Sequence, residues 1–173
     1  MGLFNQWWGL PIALLLLAAV ALGSSSHNPP NYEYNTSNST FQIGSSWWEF
    51  DESNSTRNSL MFDNLRSLGV FHYLTLNLTQ YTNSSTFDSE YQDSKRTSVN
   101  RTVLNTDNTF VAGIQVNFIN TTDVSSNKTI QTYYFQKNGK YFSIQIGGSS
   151  DTVNEFNDNS IRFTLESIIS TIK

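Results

Sequence analysis

The tetrapeptide Lys137-Asn138-Gly139-Lys140 constrains the fold more than any other feature of the sequence. Asn-Gly between two β-rich runs signals a two-residue hairpin, because both central residues must take positive φ. So short a loop fixes the pairing around it. Lys137 opposes Lys140, Phe135 opposes Phe142 and Tyr133 opposes Ile144. Opposed residues share a face, so Tyr133, Phe135, Phe142, Ile144 and Ile146 form one apolar surface. Thr132, Tyr134, Gln136, Tyr141, Ser143 and Gln145 form the other, which is half polar. The patterns of the two strands agree on the same turn, and an antiparallel sheet follows.

Further elements are read around this hairpin. Phe110 to Phe118 alternates and predicts one strand, with Phe110, Ala112, Ile114, Val116 and Phe118 inward. Asn100 to Asn105 predicts a strand that ends in a turn at Thr106-Asp107-Asn108. Phe71 to Tyr81 predicts another, with Leu74, Leu76 and Leu78 on one face and Asn77 and Thr79 on the other. Thr40 to Ile43 and Trp47 to Phe50 read as a short opening hairpin around Gly44-Ser45-Ser46, and Ser59 to Asp63 as a further strand. Ser84 to Ser94 predicts a helix, opened by Ser85 and Asp88 in capping-box spacing, with Phe87 and Tyr91 on one side. Gly147-Gly148 reads as the exit from the main hairpin. Asp151 is then placed to cap a helix over Thr152 to Ile172, whose Ile161, Leu165, Ile168, Ile169 and Ile172 make one stripe. The fold class is α+β: an antiparallel β-sheet covered by helices, preceded by a single N-terminal hydrophobic helix.

That N-terminal segment sets the address. Trp7 to Gly23 is apolar throughout, and no charged residue precedes Glu33. Residues 1–23 are read as a membrane anchor or a signal segment, with membrane contact through residues 7–23. Ala19-Val20-Ala21 fits a cleavage site, so the chain is either held at the cell membrane with its folded domain outside or secreted after a cut near Ala21. Residues 24–39 are small and polar and read as a flexible linker; residues 40–173 form the domain. The folded part alone accounts for the aromatic residues that a core needs.

Composition bears on function. The chain has no cysteine, which removes disulfides, thiolate metal sites and cysteine nucleophiles. Net charge is −4 with a pI near 5.0, so no broad basic face for nucleic acid is expected. Lys95, Arg96 and Arg101 form a basic cluster too small for that role. Asn, Ser and Thr supply 62 of the 173 residues, a polar surface with few charges. N-x-[ST] triplets mark Asn35, Asn38, Asn54, Asn77, Asn83, Asn100, Asn120 and Asn127 as candidate N-glycosylation sites for an exported chain.

No catalytic set emerges. His27 lies in the linker, and His72 shares a strand face with Leu74, so neither reads as a base. The carboxylates fall in three groups: Asp51-Glu52; Asp88, Glu90 and Asp93; and Asp151, Glu155 and Asp158. They read as helix-start and solvated charges, and no cofactor, metal or catalytic residue is expected. A secreted carbohydrate-active hydrolase using the last group is the alternative. Trp47, Trp48, Tyr134 and Tyr141 suit either an exposed stacking surface or rings buried under the helices, and burial is the expectation.

Several of these residues carry a resemblance. Phe41-Gln-Ile43 followed by Trp47-Trp48, the Phe110 to Phe118 segment with Gly113, Tyr133-Tyr-Phe135 with Lys137-Asn-Gly-Lys-Tyr141, and a helix ending Ser167-Ile-Ile-Ser-Thr171 resemble the PsbP/Mog1-like superfamily. The likeness is to exported PsbP-related proteins of methanogenic archaea in particular, and it runs from about Thr40 to Lys173. One departure is Gly44-Ser-Ser-Trp47, where the family often has a Pro-Gly-Trp-type turn. Superfamily members act as accessory or scaffolding proteins, in photosystem assembly or as partners of a small GTPase, and neither role carries over; the export segment, the tether, the polar surface and the missing catalytic set lead to the expectation of a non-catalytic accessory or binding module of the envelope. No partner-binding residue matches. The export reading leads to the expectation of an envelope protein or a glycan as partner.

Overall fold

A computed structural model of the chain describes residues 32–44, 48–64, 74–149 and 158–173. The apolar N-terminal segment with its Ala21 cut site, His27, Trp47, His72, Asp151 and Glu155 lie outside the described residues. Among the described residues, two sheets and two helices make an α+β architecture. A small sheet pairs β1 (Tyr32–Asn35) with β2 (Thr40–Ile43). The main sheet holds β3 (Trp48–Asp51), β4 (Ser59–Asn64), β5 (Leu74–Tyr81), β6 (Arg101–Val111), β7 (Ile114–Asp123), β8 (Lys128–Lys137) and β9 (Lys140–Ser149). Its order is β3-β4-β5-β9-β8-β7-β6, and every neighbouring pair is antiparallel.

The central hairpin has the register that its turn dictates. Lys137 pairs with Lys140, Phe135 with Phe142 and Tyr133 with Ile144. Asn138 and Gly139 take φ of 53° and 71°. The alternation then sorts the side chains. Phe135, Phe142, Ile144 and Ile146 join Leu74, Leu76 and Leu78 in the main core, all at 2% exposure or less. Helix α2 (Asp158–Thr171) covers that face with the stripe Ile161, Leu165, Ile168, Ile169 and Ile172, none more than 3% exposed. Each such side chain contributes about 1.5–3 kcal/mol by burial, so this stripe is what holds the sheet closed.

Five local expectations are corrected. First, Tyr32–Asn35 was expected inside a flexible linker and is a strand. Its turn is closed by the Thr36 amide donating to the Ser39 carbonyl at 2.9 Å, and the Tyr34 ring anchors it against Phe62 at 4.8 Å. The folded unit therefore takes in residues from Tyr32, before Thr40. Second, β2 and β3 are not a hairpin. β2 pairs with β1 and lies against α2, where the Gln42 amide donates to Thr171 Oγ1 at 2.8 Å, while β3 pairs with β4.

Third, Phe110 to Phe118 is not one strand. It is the tight turn of a second hairpin, with Ala112 and Gly113 at φ of 49° and 75° and Val111 paired with Ile114. Arg101–Asn105 and Thr106–Asn108 belong to the one long strand β6, and Asn100 lies in the turn before it. A two-residue turn inverts the inward parity: Thr109 and Val111 point to the core before it, Ile114, Val116 and Phe118 after it. Phe110 is consequently 66% exposed. Fourth, helix α1 (Ser84–Ser94) is capped by Asn83, not Ser85: Asn83 Oδ1 accepts from the Thr86 amide at 2.9 Å. Fifth, Gly147 and Gly148 lie within β9, paired with Thr75 and Leu74, and not at its exit.

Candidate functional site

The two faces of the sheet differ in chemistry. On the α2 face, a groove of about 250 Å³ opens between the β6–β7 end of the sheet and α2. Val111, Phe118 and Tyr133 supply one wall; Ile161 and Leu165 supply the other. The Phe118 and Tyr133 rings lie 5.1 Å apart, and the Tyr133 hydroxyl donates to Gln131 at 2.8 Å, away from the apolar wall. Thr109 and Arg162 border the groove, and Arg162 is held by Glu166 one helical turn on at 2.9 Å. The groove exists because the Ala112-Gly113 turn puts β6 at the sheet edge. Reading that segment as one strand hides it, although the switch in apolar parity between Val111 and Ile114 was a usable signal.

On the opposite face, α1 rests on the sheet through one buried ring. Phe87 packs against Tyr81, Tyr134 and Tyr141 at 5.5, 5.7 and 5.1 Å. Tyr134 is 2% exposed and Trp48 5%, so neither belongs to an exposed stacking surface. Tyr141 is half-buried beneath Phe87. Burial raises the phenols of Tyr81 and Tyr134 above their ordinary value. The Tyr81 hydroxyl donates to Glu90 Oε2 at 2.7 Å and stands 3.0 Å from Ser143 Oγ.

The charged residues singled out in the sequence are largely engaged. Arg101 folds back over the end of α1. It pairs with Asp93 Oδ2 at 3.2 Å and donates to the Arg96 carbonyl at 3.1 and 3.2 Å, and also to the Asp93 carbonyl. A cation at the negative end of a helix dipole is well placed there. Lys95 stands 3.9 Å over the Tyr91 ring. The basic cluster is thus divided between a helix end and an aromatic face. Asp51 accepts from Ser53 and Asn54 within its own loop, and those bonds hold its carboxyl below the usual range. Asp88 is exposed on α1, and Asp158 is the first residue of α2. Among the described residues no group of three or more His, Asp or Glu is placed to hold a metal ion, and no helix is long and apolar enough to cross a membrane.

The glycosylation candidates divide by position. Asn35, Asn38, Asn54, Asn83, Asn100 and Asn127 are exposed. Asn77 and Asn120 are half-buried in strands. Asn77 accepts from Ser59 Oγ at 2.8 Å, and the Asn120 side-chain oxygen is buried with no hydrogen-bond partner among the described residues.

Known proteins offer a fold and no family. No family model matches the chain, and no curated protein matches it. Among solved structures, PA94 from Pseudomonas aeruginosa, a protein of unknown function, superposes with a TM-score of 0.52 at 5% identity. It covers 81% of this chain and 96% of its own. The cyanobacterial PsbP protein (CyanoP) of Synechocystis superposes with a TM-score of 0.46 at 12% identity over 88% of this chain and 98% of its own. The first likeness is one of fold alone. The second, at that score, carries no argument.

Proposed function

We propose that the chain is a non-catalytic, PsbP-related accessory or binding module of the cell envelope. Its N-terminal 23 residues tether it to the membrane with the domain outside, or direct its secretion if cut near Ala21. The partner is an envelope polypeptide that seats an apolar side chain in the groove between β6 and α2. One observation carries this reading: the groove is walled by Val111, Phe118, Tyr133, Ile161 and Leu165 and is open at the sheet edge. Apolar surface left open beside a rigid sheet is a usual mark of association. The exposed sequons lie in turns and at strand or helix ends, and none of them lines that groove.

Two measurements test the proposal. Fractionation of native cells with intact-mass measurement reads export, cleavage and attached sugars together. A mass equal to the unprocessed chain in the soluble cytoplasm refutes the address. A photoreactive residue at Thr109, on the groove border, is expected to cross-link one envelope protein. The same probe at Val99, 93% exposed and outside the groove lining, should not. Equal cross-linking from both positions refutes the groove. Thr109→Lys is expected to abolish the Thr109-region cross-link when the probe is placed at Phe110, without loss of thermal stability.

A further inference from the structure

The α1 face holds a second, polar cleft of about 210 Å³. Glu90 and Asp93 of α1 and Arg101 of β6 form its rim; Thr132, Tyr134 and Gln145 form its floor. Thr132 and Gln145 are directly opposed across β8 and β9. Thr132 is 4% exposed and Gln145 half-buried, and both line the cleft. Polar side chains gathered at the floor of a cleft offer hydrogen bonds to a guest that fits between them.

The groups that remain available define the guest. Arg101 is held by Asp93 and by the last carbonyls of α1, so it offers little to an anion, and Glu90 and Asp93 repel one. Glu90 keeps acceptor capacity beyond the bond from Tyr81. The Gln145 amide both donates and accepts, as does the Thr132 hydroxyl. An ammonium ion only donates and would leave the Gln145 NH2 unmet. Hydroxyl groups do both. At about 30 Å³ per water the cleft holds roughly seven waters, the scale of one sugar ring.

We infer that this cleft binds a neutral polyhydroxylated ligand of monosaccharide size, with Glu90, Thr132 and Gln145 as its hydrogen-bonding groups. The cleft lies on the face of the sheet opposite the apolar groove, so neither reading rests on the other.

The test is ligand-observed NMR titration of the purified full chain with glucose, galactose, mannose and N-acetylglucosamine. Ethanolamine and phosphate serve as the cationic and anionic probes. At least one sugar should saturate with a dissociation constant near the millimolar range, ahead of both charged probes. Glu90→Gln, an exposed helix position, should weaken that sugar about tenfold or more, and Thr132→Val about three- to tenfold. Thr75→Val, on the same sheet face outside the cleft, should leave it unchanged. Glu90→Gln keeps the test valid if Thr132→Val lowers the thermal midpoint. No saturation by any sugar up to about 100 mM, two decades above a millimolar constant, overturns the inference. So does tighter binding of ethanolamine or phosphate, or a sugar affinity that Glu90→Gln does not change.

Discussion

Phe87→Ala examines how α1 is attached. Phe87 is the one residue of that helix that is buried, at 8% exposure. Its ring meets Tyr81, Tyr134 and Tyr141 within 5.7 Å. Truncating a phenylalanine in a close-packed site costs about 3–5 kcal/mol. Here the helix lies at the surface and can settle toward the sheet, which places the cost near the lower end, about 3 kcal/mol. For a chain of this size that is a fall in Tm of about 6–12 °C. An 11-residue helix is marginal by itself. With its anchor gone, α1 should open as a local unit, held only by the Tyr81–Glu90 hydrogen bond and the exposed Arg101–Asp93 pair. Amide hydrogen exchange separates the cases. The α1 amides should lose about 100-fold protection, a fall that 3 kcal/mol implies, and should exchange well ahead of the β8 and β9 amides. A loss below about 1 kcal/mol, or α1 amides that exchange no faster than those of β8 and β9, would refute the claim that one ring docks this helix.

Further expectations concern turns and loops. Ala112 holds φ of 49° at a two-residue turn, which costs a non-glycine residue about 1–2 kcal/mol; Ala112→Gly should raise stability by about 0.5–1 kcal/mol in urea unfolding after glycine's greater chain entropy is offset. Gly139, at φ of 71°, is the converse: Gly139→Ala should destabilise by about 1 kcal/mol although nothing lies within 4 Å of the added methyl. Hydrogen bonds hold the carboxyls of Asp51 and Asp123 below their ordinary 3.8. Their contribution is present above that value and is lost as pH falls through the lowered one. Asp51→Asn with Asp123→Asn should therefore flatten the acid limb of a Tm–pH curve; an unchanged limb contradicts the assignment. Lys137→Met should cost about 1 kcal/mol in the same unfolding assay, since its ammonium bonds the Ile169 carbonyl and the Ser170 carbonyl at the end of α2.

What the sequence disclosed depends on how far each signal is local. Lys137 to Lys140 is self-contained: Asn-Gly reports its own backbone, and the register follows without tertiary information. The α2 stripe is equally local, because five apolar residues at helical spacing need a sheet to cover. Ala112-Gly113 was obscured because alanine rarely takes positive φ, and the alternation appears unbroken if parity is not checked. β1 was hidden by composition: Asn, Thr and Ser suggest a linker, while Tyr34 finds its reason only against Phe41, Phe50 and Phe62. Neither candidate site was legible. The groove needs β6 beside α2, and the polar cleft needs Arg101 beside Asp93, pairings set by topology and not by motif.

The placement of α2 has a kinetic consequence. The helix closes a core whose first strands are synthesised long before it: Thr171 binds the amide of Gln42, 129 residues upstream. Until α2 emerges, Leu76, Phe142 and Ile144 line an uncovered sheet. Such long-range closure slows folding and leaves a sticky intermediate. A nascent chain of this kind is a client for chaperones throughout synthesis, and a truncation that removes α2 should yield an aggregating product instead of a smaller domain.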